Sequence, residues 1–489
     1  MRDGDLLTIA LPASAGAVLD RLAAAGHDAA LVGGSVRDLV SGWVPKDWDV
    51  ATSAPPEEVS ALFPGSTWEN RFGTVTVRGE GPDVQVTTFR SEGPYRDRRR
   101  PTSVTWGRSL DDDLARRDFT VNAIAWRPTD LPSGEGRLVD PHRGISDMER
   151  RVLRAVGDPE LRLTEDALRM VRAARFAGRL GLRIADETAT VIRRHATESA
   201  ALSGERVRDE LLRMLEAPDP QRPPSAALRL LEELGLMAVL LPELAALRGV
   251  PQAKALAGDA LDHSLRTTDA LPADRPLLRL AGLLHDLGKA TTLADGHFIG
   301  HEVAGAELAA AVADRLRLPR ADARWIERLV RQHMFAYTPE WTDAAVRRFI
   351  RRVGADLLDD LFALRAADNA ASGVLRPASA GLDELQARIA EVRASGPLGQ
   401  EGLAVDGNDL TAGLGIEPGP VVGELLGRLL EAVLDDPSLN SRERLLQLAS
   451  TWLAERGAGG HRQADPPNGP ATAGDGPAAT IGDPGAVPR

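Results

Sequence analysis

Two aspartates one residue apart, Asp47 and Asp49, stand in the stretch GGSVRDLVSGWVPKDWDVAT that runs from Gly33 to Thr52. In a strand, residues i and i+2 point to the same face. The two carboxylates therefore project together, while Trp48 and Val50 face a core. Side by side they repel unless a cation lies between them, and hard Mg²⁺ suits such oxygen ligands. A two-metal site of this kind activates an attacking oxygen and stabilises a leaving one in phosphoryl transfer. Gly33 and Gly34, placed after a strand and before a helix, let backbone N–H groups approach phosphates closely. Arg37 supplies positive charge beside them. A DxD pair taken alone also reads as a solvated strand end, so its surroundings decide.

Two further segments carry patterned charge: ARRDFTVNAI (Ala115–Ile124) and EDALRMVRAARF (Glu165–Phe176). At about 100° per residue, Arg169, Arg172, Arg175 and Arg179 fall within a helical sector of about 120°. Asp166 lies one step beyond Arg169, and Met170, Ala174 and Ala177 lie largely on the other side. Such a stripe is either a solvated face or an anion-facing one. Five of the nine histidines fall between positions 263 and 333. His285 and Asp286 end the apolar run LLRLAGLLHDLGK, a buried place for adjacent ligands. Imidazole plus carboxylate suits Mn, Ni, Co or Fe, and Mg less well.

The elements that must position these groups follow from periodicity. A helix around Pro12–Gly26, a strand AALVGG, a helix from Ser35, the strand WDVAT and two β segments, FGTVTVRG and DVQVTTFR, describe an α/β domain. From about Leu163 the pattern is helical almost throughout, as in LTEDALRMVRAARFAGRL, ERVRDELLRML and VGELLGRLLEAVL. The fold class is α+β and multidomain. The expected division is a head at 1–150, a helical neck at 151–250, a helical domain at 251–395, a C-terminal helical region at 396–456 and a tail at 457–489. That tail is Gly, Ala, Pro and Asp without periodicity, a composition expected to be disordered.

A chain of 489 residues exceeds one ordinary core. Its 43% apolar and 27% charged residues are those of a globular protein. With no cysteine, disulfides and thiolate metal sites are excluded, and any metal must use His, Asp or Glu. The first apolar run, LLTIALPASAGAVL, follows acidic rather than basic residues, and no run is long enough to span a bilayer. The cytoplasm is the expected compartment. The net charge of −12 does not exclude a nucleic-acid partner, because patches rather than totals bind phosphates.

In their order, GG-x-VRD, the DxD spacing, RRDFTVNA and EDALRMVRAARF resemble the class II tRNA nucleotidyltransferase and bacterial poly(A) polymerase family. The resemblance runs from about residue 11 to 455. It implies a polymerase beta-like head and transfer of a nucleotide from CTP or ATP to an RNA 3′ hydroxyl. Asp47 and Asp49 match the family's metal-binding carboxylates. Gly34 and Arg37, with Gly33, match its triphosphate contacts, and Arg117 another nucleotide contact; Asp118 and Asn122 shape the sugar site. Asp166, Arg169, Arg172 and Arg175 match the element that reads the incoming base. An Asp and an Arg can imitate the Watson–Crick edge of a partner base, since cytosine N4 donates to a carboxylate and a guanidinium donates to ring nitrogens or carbonyls. One departure stands out: Gln85 occupies a place where the family often has an acidic residue, and Asp83 lies two positions earlier on the same face.

Glu92–Trp106 resembles the loop that enzymes able to add the terminal A possess. It points to CCA addition to the tRNA 3′ end, or to addition of A alone. Poly(A) polymerases of this family carry a basic tail, which this chain lacks. His263, His285, Asp286, His301, His333 and Asp368 have the order of an HD-domain metal site, implying a second activity on phosphates at RNA ends. Leu403–Ala449 resembles the family's C-terminal tRNA-binding region. A rival of another class is an HD phosphohydrolase whose head only binds RNA. The sequence does not give the oligomeric state.

Overall fold

Alternating apolar residues in the first 140 positions build one mixed eight-stranded sheet. Its strands belong to the set β1 (Leu6–Thr8), β2 (Ala29–Val32), β3 (Trp48–Thr52), β4 (Thr67–Glu69), β5 (Thr74–Val77), β6 (Val84–Thr88), β7 (Arg90–Glu92), β8 (Val104–Trp106), β9 (Ala125–Asp130) and β10 (Glu135–Val139). The sheet order is β1-β10-β9-β2-β3-β6-β5-β4, and β7 pairs β8 in a separate ribbon. This computed structural model describes all residues except 70–72, 80, 93–103, 107–108, 218, 253–254, 374–376, 396–397 and 460–489. Most of the expected A-addition loop, 93–103, thus lies outside the described residues.

Strand β3 sits between β2, to which it is antiparallel, and β6, to which it is parallel. Trp48 and Val50 are buried in the sheet core as the alternation requires. The strand begins at Trp48, so Asp47 lies one residue before it and is exposed, while Asp49 is half-buried within it. Gln85 is the direct register partner of Asp49.

The stretch LTEDALRMVRAARFAGRL is not the single helix its periodicity suggests. One helix ends at Glu165 and the next runs Leu168–Leu180, with Asp166 extended at φ −144°, ψ 106°. The Asp166 carboxylate accepts a hydrogen bond from the Leu168 N–H at 3.0 Å. An aspartate that satisfies an orphan helix donor in this way ends one helix and starts another. The second helix packs closely on Pro224–Glu233: a Cβ on Gly178 would lie 2.5 Å from the Ala227 nitrogen. Left-handed Gly181 (φ 65°) ends it.

The chain forms two units, Met1–Glu340 with Arg352–Gln386, and Trp341–Arg351 with Ala387 onward. The first holds the sheet, the neck helices and the histidine-rich helices. The second buries Leu410, Leu425, Leu429 and Leu445 among its helices. Its last helix, Arg442–Gly459, runs past the expected boundary at 456; the rest of the expected tail lies outside the described residues. Among the described residues, no helix is long and apolar enough to cross a membrane.

Candidate active site

The sheet and the neck together enclose a cleft of about 840 Å³. Gly33, Gly34, Arg37, Asp47, Asp49, Arg117, Asp118, Asn122, Asp166, Arg169, Arg172 and Arg175 all line it. Residues spread over 140 positions therefore meet in one place. Twelve Lys and Arg side chains line the cleft against six Asp. A chain that is acidic overall thus presents a cationic site here, which favours a polyanionic ligand.

Gly33 takes φ 73°, a conformation open to glycine, in the turn from β2 to the helix Gly34–Val40. A Cβ there would lie 2.6 Å from Arg117 Nη1, so the glycine also makes room for that guanidinium. Arg37 donates to Asn122 Oδ1 at 2.7 Å and to Asp38 Oδ1 through Nε and Nη2 at 2.9 and 2.7 Å. Arg117 is held by Asp113 Oδ2, at 3.3 Å from Nε and 3.1 Å from Nη2. Burial raises the Asp113 carboxyl, but the flanking Arg117 and Arg116 overcome it and hold the group below its ordinary range.

Asp47 and Asp49 have no hydrogen-bond or ion-pair partner among the described residues. Burial raises the Asp49 carboxyl; Arg117 and Arg37 pull it down, the neighbouring Asp47 pushes it up, and the net direction is upward. Two unpartnered like charges, one of them desolvated, fit a divalent cation between them. Neither Gln85 nor Asp83 lines the cleft; Asp83 is exposed and lies 4.0 Å from Arg78. No third carboxylate joins the pair from these positions.

On the neck side, Asp118 Oδ1 accepts from Asn122 Nδ2 at 3.1 Å and Oδ2 from Arg172 Nε at 2.8 Å. Burial works against its charge, yet Arg172 and Asn122 bring Asp118 down to about 2. Arg175 donates to buried Glu210 at 2.5 Å, and its guanidinium lies 4.1 Å from the Phe176 ring centroid. Arg169 is braced by Glu165 at 2.6 Å and by the carbonyls of Arg162 and Arg116. Asp166 Oδ2 accepts from Arg206 at 2.7 Å. Asp38, Asp113, Arg206 and Glu210 were not singled out from sequence. Each is one charge among many on a helix; Asp38 and Asp113 pair with arginines one to four positions away, while Arg206 and Glu210 are distinguished by the distant partners Asp166 and Arg175.

A second cluster gathers all six of the predicted HD residues. His263, His285, Asp286, His301, His333 and Asp368 are buried. Asp286 stands at the centre, 3.4 Å from His263 Nε2, 3.2 Å from His285 Nε2, 3.5 Å from His301 Nε2 and 3.8 Å from His333 Nε2. Asp368 joins through His263 at 3.0 Å. His285, His301 and His333 lie at helix ends and turn Nδ1 toward the carbonyls of Gly282, Phe298 and Val330, at 2.7, 2.7 and 2.6 Å. A carbonyl only accepts, so Nδ1 carries a proton and each ring is oriented with Nε2 toward Asp286. Those three Nε2 atoms are buried without a hydrogen-bond partner among the described residues. Burial and the neighbouring His285 push His333 down to about 3. Burial opposes ionisation of Asp286, but His285, Lys289 and His263 hold it well below the usual range. Imidazoles oriented through their outer nitrogens around an ionised carboxylate are a donor set for one divalent metal. Lys289, 2.6 Å from Asp286, was not picked out from sequence.

Residues 29–154 match the family model described as poly A polymerase head domain, 181–247 the probable RNA and SrmB-binding site of polymerase A, and 253–372 the HD domain. The A-adding tRNA nucleotidyltransferase of Deinococcus radiodurans is 38% identical over 428 residues, 83% of this chain and 91% of that one. The CCA-adding enzyme of Geobacillus stearothermophilus is 35% identical over 448 residues, 90% and 96% of the two chains. The crystal structure of Bacillus stearothermophilus CCA-adding enzyme in complex with CTP superimposes with a TM-score of 0.66 at 30% identity, covering 91% of this chain and 98% of that one. A polymerase-type α/β head joined to an arginine-lined neck and an HD domain defines a template-independent nucleotidyltransferase. The chain belongs to the family of CCA-adding and A-adding tRNA nucleotidyltransferases.

Proposed function

We propose that this enzyme adds C, C and A, from CTP and ATP, to the 3′ end of tRNA. The observation that carries the reading is that one cationic cleft is lined both by Asp47 and Asp49, unpartnered among the described residues, and by the arginines of the neck. Mg²⁺ held by the two carboxylates would lower the pKa of the RNA 3′ hydroxyl and neutralise charge on the departing pyrophosphate. The chain's own residues do the positioning. The turn at Gly33 and Gly34 admits the triphosphate, Arg37 and Arg117 bind its oxygens, and Asp118 with Asn122 holds the sugar. Asp166 and Arg169 meet the base edge, with Arg172 and Arg175 fixing the wall behind it. The reading places the enzyme in the cytoplasm with tRNA as its partner.

Addition of A alone is the second reading, favoured by the A-adding Deinococcus relative. Transcripts ending at the discriminator base, at C or at CC, incubated with CTP, ATP or both, separate the readings at single-nucleotide resolution. CCA addition that stops is expected. Extension only of the CC transcript by ATP would make the enzyme A-adding, and long A ladders a poly(A) polymerase.

For the HD centre we infer a bound transition metal (Mn, Ni, Co or Fe) and hydrolysis of phosphates at RNA ends. The three buried Nε2 atoms, without a hydrogen-bond partner among the described residues and gathered around Asp286, support the metal. Such an ion supplies a Lewis acid for a phosphoryl oxygen.

A further inference from the structure

One wall of the cleft carries an exposed aromatic that the transfer reading leaves unused. Trp43 lies in the turn between the helix Gly34–Val40 and β3, four residues before Asp47. It lines the cleft yet is 45% exposed. Facing it, Arg222 holds its guanidinium 5.4 Å from the indole centroid. Arg222 also leans on the end of the arginine helix: a Cβ on Gly181 would lie 3.2 Å from its Nε. Lys46 and Arg179 line the same cleft and have no hydrogen-bond or ion-pair partner among the described residues.

The position separates this pair from the base-reading end. Asp166 and Arg169 stand at the N-terminal end of the helix, and Arg222 at its C-terminal end. At 1.5 Å per residue, Arg169 and Gly181 are about 18 Å apart along the axis. Arg37, beside Phe176 at 5.8 Å, falls between them. A nucleotide whose base is read at one end and whose phosphates lie near Arg37 leaves the Trp43 end to another ligand.

We propose that Trp43 and Arg222 form a stacking site for the 3′-terminal base of the RNA acceptor, with Lys46 and Arg179 receiving the adjoining phosphates. The site rests on the transfer reading. During successive additions the terminal base changes from the discriminator to C and to C again. Hydrogen-bond readout would reject some of these ends, whereas stacking on an aromatic face accepts every base. A guanidinium held over the indole adds a second planar surface and a positive charge.

The test uses a tRNA transcript whose discriminator base is 2-aminopurine, bound in Mg²⁺ without nucleotide. Wild-type enzyme should quench its fluorescence. Trp43→Ala should lose the quench and raise KM for the RNA about tenfold, at the lower part of the 1–3 kcal/mol range for one base stacked on an aromatic, with KM for CTP unchanged. Trp43→Phe should restore both, and Arg222→Ala should give a smaller rise. An unchanged quench and RNA KM in Trp43→Ala, or a rise confined to KM for CTP, would overturn the site while leaving the transfer reading intact. Wild-type enzyme that quenches the probe, in a Trp43-dependent way, but never extends it would sink the transfer reading and keep the stacking site.

Discussion

Arg172 clamps the head to the neck: its Nε and Nη2 lie 2.8 and 2.7 Å from Asp118 Oδ2, and its Nη1 lies 3.6 Å from Glu210 Oε1. The bond joins the RRDFTVNA segment to the arginine helix, so the groups proposed to meet the sugar and the base share one rigid element. Burial costs both charges solvation, and the close, two-point geometry offsets that cost.

The pH behaviour of this pair follows from its sign. Asp118 titrates at about 2 in the folded chain against an ordinary 3.8. A carboxyl depressed by folding contributes stability that is full above the unfolded value and is lost as pH falls toward the folded one. The contribution at neutral pH is on the order of 2 kcal/mol. Asp118→Asn should therefore lower the urea midpoint at pH 7, and the gap to wild type should close between about pH 4 and pH 2. A gap that stays constant down to pH 2 would show that Asp118 is not held by Arg172 in solution.

The carboxylate pair makes the opposite kind of prediction. Asp47 is exposed, and Asp49 is half-buried beside it without a partner among the described residues. Removing either relieves repulsion and leaves no hydrogen bond broken. Asp47→Ala and Asp49→Ala should each cut nucleotide transfer by about 10³-fold or more, as expected when several kcal/mol of metal-borne charge stabilisation is lost. Thermal midpoints without Mg²⁺ should be equal to or slightly above wild type. Near-normal transfer in either variant would remove the pair from the reaction.

Much of this site is legible in the sequence because local rules reach it. Strand alternation places Trp48 and Val50 inward and Asp49 outward, and the 3.6-residue period gathers Arg169, Arg172 and Arg175. The same period misleads at Asp166, where a side-chain cap to Leu168 N–H competes with helix continuation and wins. Charge partners remain hidden for another reason. Arg206 and Glu210 are set by contacts with Asp166 and Arg175 on elements that the sequence does not align with them. Glu210 falls on the buried stripe of its helix with Val207, Leu211 and Met214, yet its charge alone argues for solvent; it is only 2% exposed because Arg175 pairs with it there.

Metal at the HD centre is predicted to stabilise the chain without serving transfer. His285, His301 and His333 already turn Nε2 toward Asp286, so loading needs little movement of the rings. Protein incubated with Mn²⁺, Ni²⁺ or Co²⁺ and desalted should retain about one ion per chain by elemental analysis, and its thermal midpoint should rise with metal concentration. His285→Ala should lose the ion and the rise while keeping nucleotide addition. Retention of a full equivalent in His285→Ala would place the ion elsewhere.

The contact between Arg206 and Asp166 leads to a prediction about selectivity. Asp166 spends Oδ1 on the Leu168 N–H at 3.0 Å and Oδ2 on Arg206 at 2.7 Å. Its carboxylate is thereby fixed in direction, while each oxygen keeps a lone pair for an exocyclic amine. Arg206 has a buried Nη1 with no hydrogen-bond partner among the described residues, a donor left over at the end proposed to read the base. Cutting this brace frees the carboxylate to rotate and weakens discrimination before it weakens chemistry. Arg206→Ala should reduce the preference for CTP over UTP by about tenfold, a loss of about 1.4 kcal/mol in differential transition-state binding. Arg206→Lys, which keeps the charge but not the planar fork, should recover only part of it. Competition assays with paired nucleotides on one transcript read the ratio directly. A ratio unchanged in Arg206→Ala would mean that Leu168 alone orients Asp166, and that Arg206 serves only to join the two neck helices.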